Sequence, residues 1–176
     1  MKIKSSKQVY DCGLFRVTED RAVDEKTKFE IKRSVVRHIG SAVMMAVDEK
    51  KRILLVRQYR LPVRQYLWEL PAGTVDPGET PLQTARRELV EETGYRAKKW
   101  TKLAEFYPSP GFLSEMMTIY VATGLTAGDA QPMDDERIET RWFTGKEIDE
   151  MIRGGKIRDA KTNVAFLRWK RYFAGK

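Results

Sequence analysis

The pattern of apolar and polar residues predicts strands on both sides of one long helix. Residues 28–36 alternate apolar and polar side chains, as a half-buried strand does. Residues 41–47 (SAVMMAV) are nearly all apolar, which indicates a strand buried on both faces. A polar turn at 48–51 leads into another apolar run at 52–59, and Pro62 ends it. Residues 65–70 lead towards the long helix, and the pattern predicts further strands at 97–106, 116–122 and 138–143.

The long helix has clear start and stop signals. Thr80 is a typical N-cap, Pro81 suits the first helical position, and Gln83 completes a capping box. Gly94 is typical of a left-handed C-terminal cap. The helix's buried stripe is expected to consist of Leu82, Ala85 and Leu89.

Two shorter helices are predicted near the C-terminus, at 144–153 and 163–173. In the second, Trp169 lies among basic residues, which permits a nucleic-acid patch. An apolar face packed on the sheet is the preferred interpretation; its residues would be Val164, Phe166, Leu167 and Tyr172. The order of the elements indicates an α+β or mixed-sheet α/β fold rather than regularly alternating βαβ units.

The long helix carries more carboxylates than a purely structural helix needs. Glu88, Glu91 and Glu92 are three and four residues apart, so their like charges repel, and they lie near the C-terminus, where the helix dipole disfavours anions. A hard divalent cation such as Mg²⁺ or Mn²⁺ would remove this conflict. Taken alone, the spacing of these glutamates is more simply explained by a solvated acidic helix face. The Gly/Pro/Asp loop before the helix makes a metal site the preferred interpretation.

Charge and composition limit the remaining possibilities. The net charge is +8, whereas residues 69–94 carry −4, so an acidic site lies within a basic chain. This fits a phosphate-rich small substrate, although a basic chain also permits nucleic acid. We expect no membrane association, because the chain has neither an apolar run of about 18 residues nor a signal peptide's apolar core. The single Cys12 excludes an internal disulfide and suggests a cytoplasmic protein.

Residues 73–95 (GTVDPGETPLQTARRELVEETGY) resemble the Nudix box, G-x5-E-x7-R-E-U-x-E-E-x-G-U, where U is a bulky aliphatic residue. Tyr95 replaces the final aliphatic residue; the matching positions are Gly73, Glu79, Arg87, Glu88, Leu89, Glu91, Glu92 and Gly94. The resemblance implies an α/β/α sandwich with a mixed sheet and a metal-dependent pyrophosphohydrolase. Mg²⁺, or Mn²⁺, would be bound by Glu88, Glu91, Glu92 and the Ala72 carbonyl. Arg87 would orient Glu79 by a bidentate pair.

Segments flanking the box, LLVRQYR, ELPAGTVDPGE and FYPSPGFLSE, resemble the ADP-ribose pyrophosphatase branch of this family. That branch hydrolyses ADP-ribose to AMP and ribose 5-phosphate. By resemblance, the substrate-binding residues would be Arg57, Arg60, Glu69, Gly111 and Glu115, with Arg60 preferred over Arg57. The catalytic base would come from the acidic loop 133–139, with Glu136 first and Glu139 second, and Glu92 would also be catalytic.

The resemblance also implies a homodimer. Residues 1–36 would form an N-terminal β segment that takes part in dimerisation, and residues 37–176 would form the Nudix domain. Tyr10, Phe15 and Phe29 are then candidates to stack on adenine across the dimer.

Other substrates and a different class of function remain open. Another nucleoside diphosphate sugar, such as GDP-mannose or ADP-glucose, would fit the same flanking segments. A non-catalytic module that senses ADP-ribose or binds RNA is less favoured, because such modules tend to lose a metal carboxylate and all three are present here. The basic excess also permits an RNA 5′-pyrophosphate hydrolase.

Overall fold

The computed structural model describes residues 1–130 and 137–172. The chain divides into two compact units. The first combines Met1–Gly40 with Phe106–Met116, and the second combines Ser41–Glu105 with Met117–Lys176. The sequence places the end of the N-terminal segment at residue 36 and does not indicate that a later segment joins it.

The first unit is an antiparallel sheet of β1 (Lys2–Asp11), β2 (Arg16–Val23) and β3 (Glu30–Arg37), in that order. Every residue of β1 is exposed. Segment 106–116 is joined to β3 by backbone hydrogen bonds: the Val36 amide donates to the Phe112 carbonyl (2.7 Å), and the Ser114 amide donates to the Val36 carbonyl (2.9 Å). These bonds explain why this late segment belongs to the first unit.

The remaining elements, in chain order, are β4 (Ser41–Ala46), β5 (Ile53–Arg60), β6 (Gln65–Glu69), β7 (Ala72–Thr74), α1 (Pro81–Thr93), β8 (Arg96–Phe106), β9 (Met117–Thr126), β10 (Glu139–Phe143), α2 (Gly145–Arg153) and α3 (Ala160–Tyr172). They form one sheet in the order β7-β4-β9-β8 and another in the order β10-β5-β6. The first of these sheets is mixed, because β4 pairs parallel with β9 and antiparallel with β7. The predicted mixed α/β architecture is therefore confirmed.

The hydrophobic core of the second unit fixes the position of helix α1. All six residues of β4 are buried, as its continuous apolar run predicts. Ala85 and Leu89 of α1 are fully buried in a cluster with residues of β4, β5 and β9. Burying a leucine side chain contributes about 1.5–3 kcal/mol. One side of α1 is thus fixed against the sheet. Leu82, predicted as part of this stripe, is only half-buried.

Two predictions about local structure are wrong. Part of the predicted Gly/Pro/Asp loop before α1 is the three-residue strand β7, and α3 begins at Ala160, before the predicted start at 163. It begins earlier because Asp159 caps it: Asp159 Oδ2 accepts hydrogen bonds from the Thr162 amide (2.9 Å) and hydroxyl (2.6 Å).

The buried face of α3 also differs in part from the prediction. Trp169 and Phe166 are buried, which confirms that this helix packs by an apolar face. Leu167 and Tyr172 are instead 56% and 52% exposed. Among the described residues, no helix is long and apolar enough to cross a membrane.

Candidate active site

Helix α1 begins and ends where its capping residues predict. Thr80 Oγ1 accepts a hydrogen bond from the Gln83 amide (3.3 Å), and the Gln83 side chain accepts one from the Thr80 amide (2.8 Å). Gly94 ends the helix with φ of 73°. A Cβ at Gly94 would also lie 2.4 Å from the Gly128 carbonyl oxygen, so this glycine is needed for close approach of the chain as well as for its backbone conformation.

The loop strand β7 lies directly against an acidic residue of α1. Its backbone pairs with β4, with Ala72 opposite Val43 and Gly73 opposite Ala42. A Cβ built on Gly73 would lie 2.0 Å from both Cδ and Oε1 of Glu88. The missing side chain at Gly73 therefore leaves the space that the buried Glu88 carboxylate fills, and it brings that carboxylate next to the backbone of β7.

Arg87 links the loop to the carboxylates of the helix. Its Nε and Nη2 donate to the two oxygens of Glu79 (3.1 and 3.0 Å), which confirms the predicted bidentate pair. Its Nη1 donates to Glu88 Oε1 (2.8 Å) and Glu91 Oε2 (3.0 Å), and Nη2 lies 3.1 Å from Asp76 Oδ2. One guanidinium thus compensates the repulsion among several carboxylates.

These contacts alter the acidity of the groups involved. Hydrogen bonds from Arg87 and then from Thr84 lower the pKa of Glu79 to about 2. Hydrogen bonding to Glu79 raises the pKa of Arg87, against the opposing effect of burial, and Glu88 and Glu91 raise it further. Both groups are therefore charged at neutral pH, as an orienting ion pair requires.

The donor chemistry of this region suits a hard divalent cation. Glu88 and Glu92 are buried, Glu91 has a side chain one-third exposed, and all three offer the oxygen ligands that Mg²⁺ prefers. Glu88 and Glu91 each accept from Arg87 through one of their two oxygens. Within residues 1–130 and 137–172, no three His, Cys, Asp or Glu side chains converge closely enough to hold an ion. The ligand set Ala72, Glu88, Glu91 and Glu92 stays a prediction.

Arg60 and Glu69 form an ion pair on one face of the β5–β6 hairpin. Arg60 Nε and Nη2 donate to the Glu69 carboxylate (2.8 and 3.1 Å), which is 1% exposed. Burial tends to lower the pKa of Arg60, but hydrogen bonding and charge from Glu69, followed by the charges of Glu92 and Asp159, raise it overall. The negative charge of Glu92 thus helps to raise the pKa of Arg60. A predicted metal ligand therefore acts electrostatically on a predicted substrate-binding residue.

Arg57 lies on the opposite face of β5, because the two arginines are three residues apart on a strand. Its Nη1 donates to Glu139 Oε2 (3.2 Å), and its guanidinium lies 4.8 Å from the ring centroid of Tyr66. Both side chains of the Arg57–Glu139 pair are about half exposed. The structure thus groups Arg57 with Glu139 and separates it from Arg60 and Glu69. Glu136 lies outside the described residues.

The other candidates belong to the first unit. His38 Nδ1 lies 3.8 Å from the buried Glu115 carboxylate, and a Cβ built on Gly111 would have no atom within 4 Å. Tyr10 and Phe29 are more than half exposed, and the Tyr10 ring lies 6.1 Å from that of Phe15. Their proposed contacts with substrate stay predictions.

The sequence interpretation missed the buried charges beside Glu69. Lys161 Nζ donates to Glu69 Oε2 and lies 3.1 Å from Asp159 Oδ1. The sequence does contain a signal for the burial of Lys161. This residue is four positions before Ala165 and eight before Trp169, which places it on the buried stripe of α3. A lysine at such a position requires a buried anionic partner.

Comparison with known proteins identifies the family. The NUDIX domain matches residues 36–168. The chain is 39% identical over 136 residues to an ADP-ribose pyrophosphatase of Bacillus subtilis (strain 168), covering 76% of this chain and 74% of that protein. It is 37% identical over 132 residues to a GDP-mannose pyrophosphatase of Cronobacter sakazakii (strain ATCC BAA-894), covering 70% and 69%.

A solved structure supports the same fold. The crystal structure of an ADP compounds hydrolase superposes with a TM-score of 0.84 at 22% identity, covering 99% of this chain and 96% of that one. The NUDIX domain matches most of the chain, and the two pyrophosphatases are 39% and 37% identical to it in sequence. The chain belongs to the NUDIX domain family.

Proposed function

We propose that the chain is a Nudix hydrolase that cleaves the pyrophosphate bond of ADP-ribose to give AMP and ribose 5-phosphate. The observation that carries the chemistry is the arrangement on α1, where Gly73 makes room for Glu88 and Arg87 holds the neighbouring carboxylates. The observation that favours the substrate is the similarity to the ADP-ribose pyrophosphatase of Bacillus subtilis.

The chain's residues would divide the work of the reaction. Glu88, Glu91, Glu92 and the Ala72 carbonyl would hold Mg²⁺. A bound divalent cation neutralises charge on the non-bridging phosphate oxygens. Arg87 holds Glu79, Glu88 and Glu91 in place. Arg60 would bind a phosphate of the substrate, and Glu136, or secondarily Glu139, would accept the proton of the attacking water.

A homodimer forms part of this proposal. The first unit exposes apolar side chains that a second copy would cover: Ile3 is 60% exposed, Val9 51%, Tyr10 54% and Phe29 63%. In such a dimer Tyr10 and Phe29 would be candidates to stack on adenine. Light scattering at several concentrations tests the assembly, and a monomer throughout would refute it. The exposed thiol of Cys12 suits a reducing compartment, and we place the enzyme in the cytoplasm.

Hydrolysis of GDP-mannose is the second candidate, because the Cronobacter sakazakii relative has that activity in its name. A direct comparison separates the two substrates. Release of AMP from ADP-ribose and of GMP from GDP-mannose is measured with Mg²⁺ and again with excess EDTA. We expect faster, EDTA-sensitive cleavage of ADP-ribose. Faster cleavage of GDP-mannose would replace the substrate and retain the chemistry.

A pair of variants tests whether the acidic helix is the catalytic centre. Glu92→Gln removes one buried carboxylate charge and should reduce turnover by at least about 100-fold, because a bound cation supplies several kcal/mol of transition-state stabilisation. Glu150→Gln removes an exposed carboxylate on α2 and serves as the control. Equal activity of Glu92→Gln and wild type would refute the assignment. Failure of the wild type to cleave any nucleotide sugar would favour a binding module instead.

A further inference from the structure

Lys161 is a buried charge that the proposed chemistry does not yet use. Its side chain is 7% exposed, which is rare for a lysine that lacks an anionic partner. Its ammonium donates to Glu69 Oε2 and lies 3.1 Å from Asp159 Oδ1. Two carboxylates thus offset the cost of removing this charge from water.

The Glu69 carboxylate is paired with two cationic side chains. Arg60 donates to both of its oxygens, and Lys161 donates to Oε2 as well. Asp159 is fixed in turn by the Thr162 hydroxyl (2.6 Å), and that hydroxyl accepts from the Leu70 amide (2.8 Å). The start of α3 is thereby fixed to the end of β6, so this set of charges has little freedom to rearrange.

The exposed part of the network is Arg60. Its side chain is 40% exposed, whereas those of Glu69 and Lys161 are 1% and 7% exposed. The pairing with Glu69 uses Nε and Nη2, so the third nitrogen, Nη1, points away from that carboxylate. With Lys161 present, the charges of Arg60, Lys161, Glu69 and Asp159 balance. Without Lys161 the same group would carry a net negative charge around Arg60, the residue proposed to bind phosphate.

We propose that Lys161 is a positioning residue for the pyrophosphate substrate: it shares the charge of Glu69, so that Arg60 keeps its orientation and its positive charge is directed at the diphosphate. This inference rests on the proposed function. Lys161 acts through Glu69 and Arg60 and does not itself contact the substrate. Arg60 would bind the diphosphate already in the ground state, so loss of its orientation should raise KM more than it lowers kcat, as loss of uniform binding does.

The test compares Lys161→Met with Lys170→Met, which removes an exposed lysine of the same helix that is paired with Asp149. Lys161→Met should raise KM about 10- to 100-fold, the range found for residues that orient a site's ligands. Lys161→Arg, which keeps the charge, should recover most of that loss, and Lys170→Met should match wild type. Arg60→Met combined with Lys161→Met should lose less affinity than the two single losses added together, because Lys161 acts in part through the Arg60 guanidinium.

A merely structural role gives a different result. Loss of folded protein lowers kcat per total enzyme and leaves KM unchanged. Unchanged KM in Lys161→Met, with or without loss of folded protein, would therefore overturn the proposal. Should Lys161→Met not fold, Lys161→Gln removes the charge while keeping a hydrogen-bond donor, and it is judged by the same KM criterion.

Binding of inorganic pyrophosphate, measured by calorimetry in EDTA, separates this proposal from the proposed function. We expect Lys161→Met to bind pyrophosphate at least about tenfold more weakly than wild type. Wild type that binds pyrophosphate but cleaves no nucleotide sugar would refute the proposed function, and the binding comparison would still decide the role of Lys161. Equal affinity of wild type and Lys161→Met, or no binding by wild type, would overturn the role of Lys161.

Discussion

Replacing Gly73 with alanine should displace a carboxylate that is expected to bind metal. The new Cβ would lie 2.0 Å from Glu88 Cδ and Oε1 and 2.3 Å from Cγ, whereas ordinary contacts begin at 3.4 Å. The carboxylate must therefore move by about 1.4 Å. Its 2.8 Å hydrogen bond with Arg87 would be lost in the process. A displacement of about 1 Å at a reacting centre costs about 100-fold in rate.

The effect on stability should be much smaller than the effect on rate. The clashing atoms are the end of a flexible side chain, so the free energy of unfolding should fall only by about 1 kcal/mol, the low end for overpacking. For a chain of this size that corresponds to about 2–4 °C in melting temperature. We therefore expect a folded protein with about 100-fold lower kcat/KM for ADP-ribose and a higher Mg²⁺ requirement.

The assay measures kcat/KM for ADP-ribose across a Mg²⁺ titration, with thermal melting in parallel. Gly145→Ala is the matched control, because its Cβ would lie 3.7 Å from Trp169 and 3.8 Å from Phe166, which are ordinary contacts. It should retain wild-type activity. Gly73→Ala with wild-type kcat/KM and wild-type Mg²⁺ dependence would refute the argument that Gly73 makes room for a functional Glu88.

Three further substitutions test the N-cap Thr80, the Glu79 carboxylate in the loop before α1, and Arg57. Thr80→Ala removes the oxygen that accepts from the Gln83 amide and should lower the free energy of unfolding by about 1 kcal/mol in urea titrations, whereas no change would refute the capping role. The pKa of Glu79 is about 2 in the folded protein against 4.5 for the free group, so its stabilising contribution is present above 4.5 and is lost as the pH falls towards 2. Glu79→Gln should therefore reduce the loss of stability in that window, measured as the urea midpoint against pH; an unchanged profile would contradict this. Arg57→Met removes a half-exposed ion pair with Glu139 and a contact with the Tyr66 ring, and should leave kcat/KM within about twofold of wild type; a larger loss would assign Arg57 to the substrate.

Local chemistry made the ends of α1 predictable. Thr80, Gln83 and Gly94 act on backbone groups within a few residues, so their types and spacing specify the caps. The pair between Arg87 and Glu79 was predictable because the family resemblance covers both residues. In contrast, β7 has three residues, which is too short for an alternating pattern to show.

The network around Glu69 could not be read from local patterns. Glu69 and Lys161 are 92 residues apart, so only tertiary structure brings them together. Periodicity on α3 indicates that Lys161 is buried but does not identify its partner. The face of β5 that each arginine occupies follows from strand geometry, whereas the pairing of Arg57 with Glu139 depends on β10 lying beside β5.

The parallel pairing of β4 with β9 has a consequence for how the chain folds. Ser41 pairs with Met117 and Ala46 with Ala122, so the central contact closes a loop that contains β5–β8 and α1. Closing so long a loop is entropically costly, and folds dominated by such distant contacts form slowly. Helix α1 carries its own caps, but the cluster that buries Ala85 and Leu89 is completed only when this closure brings in Ala122 of β9. The carboxylates of α1 therefore become organised late, and amides of β4 should be among the slowest to exchange with solvent deuterium.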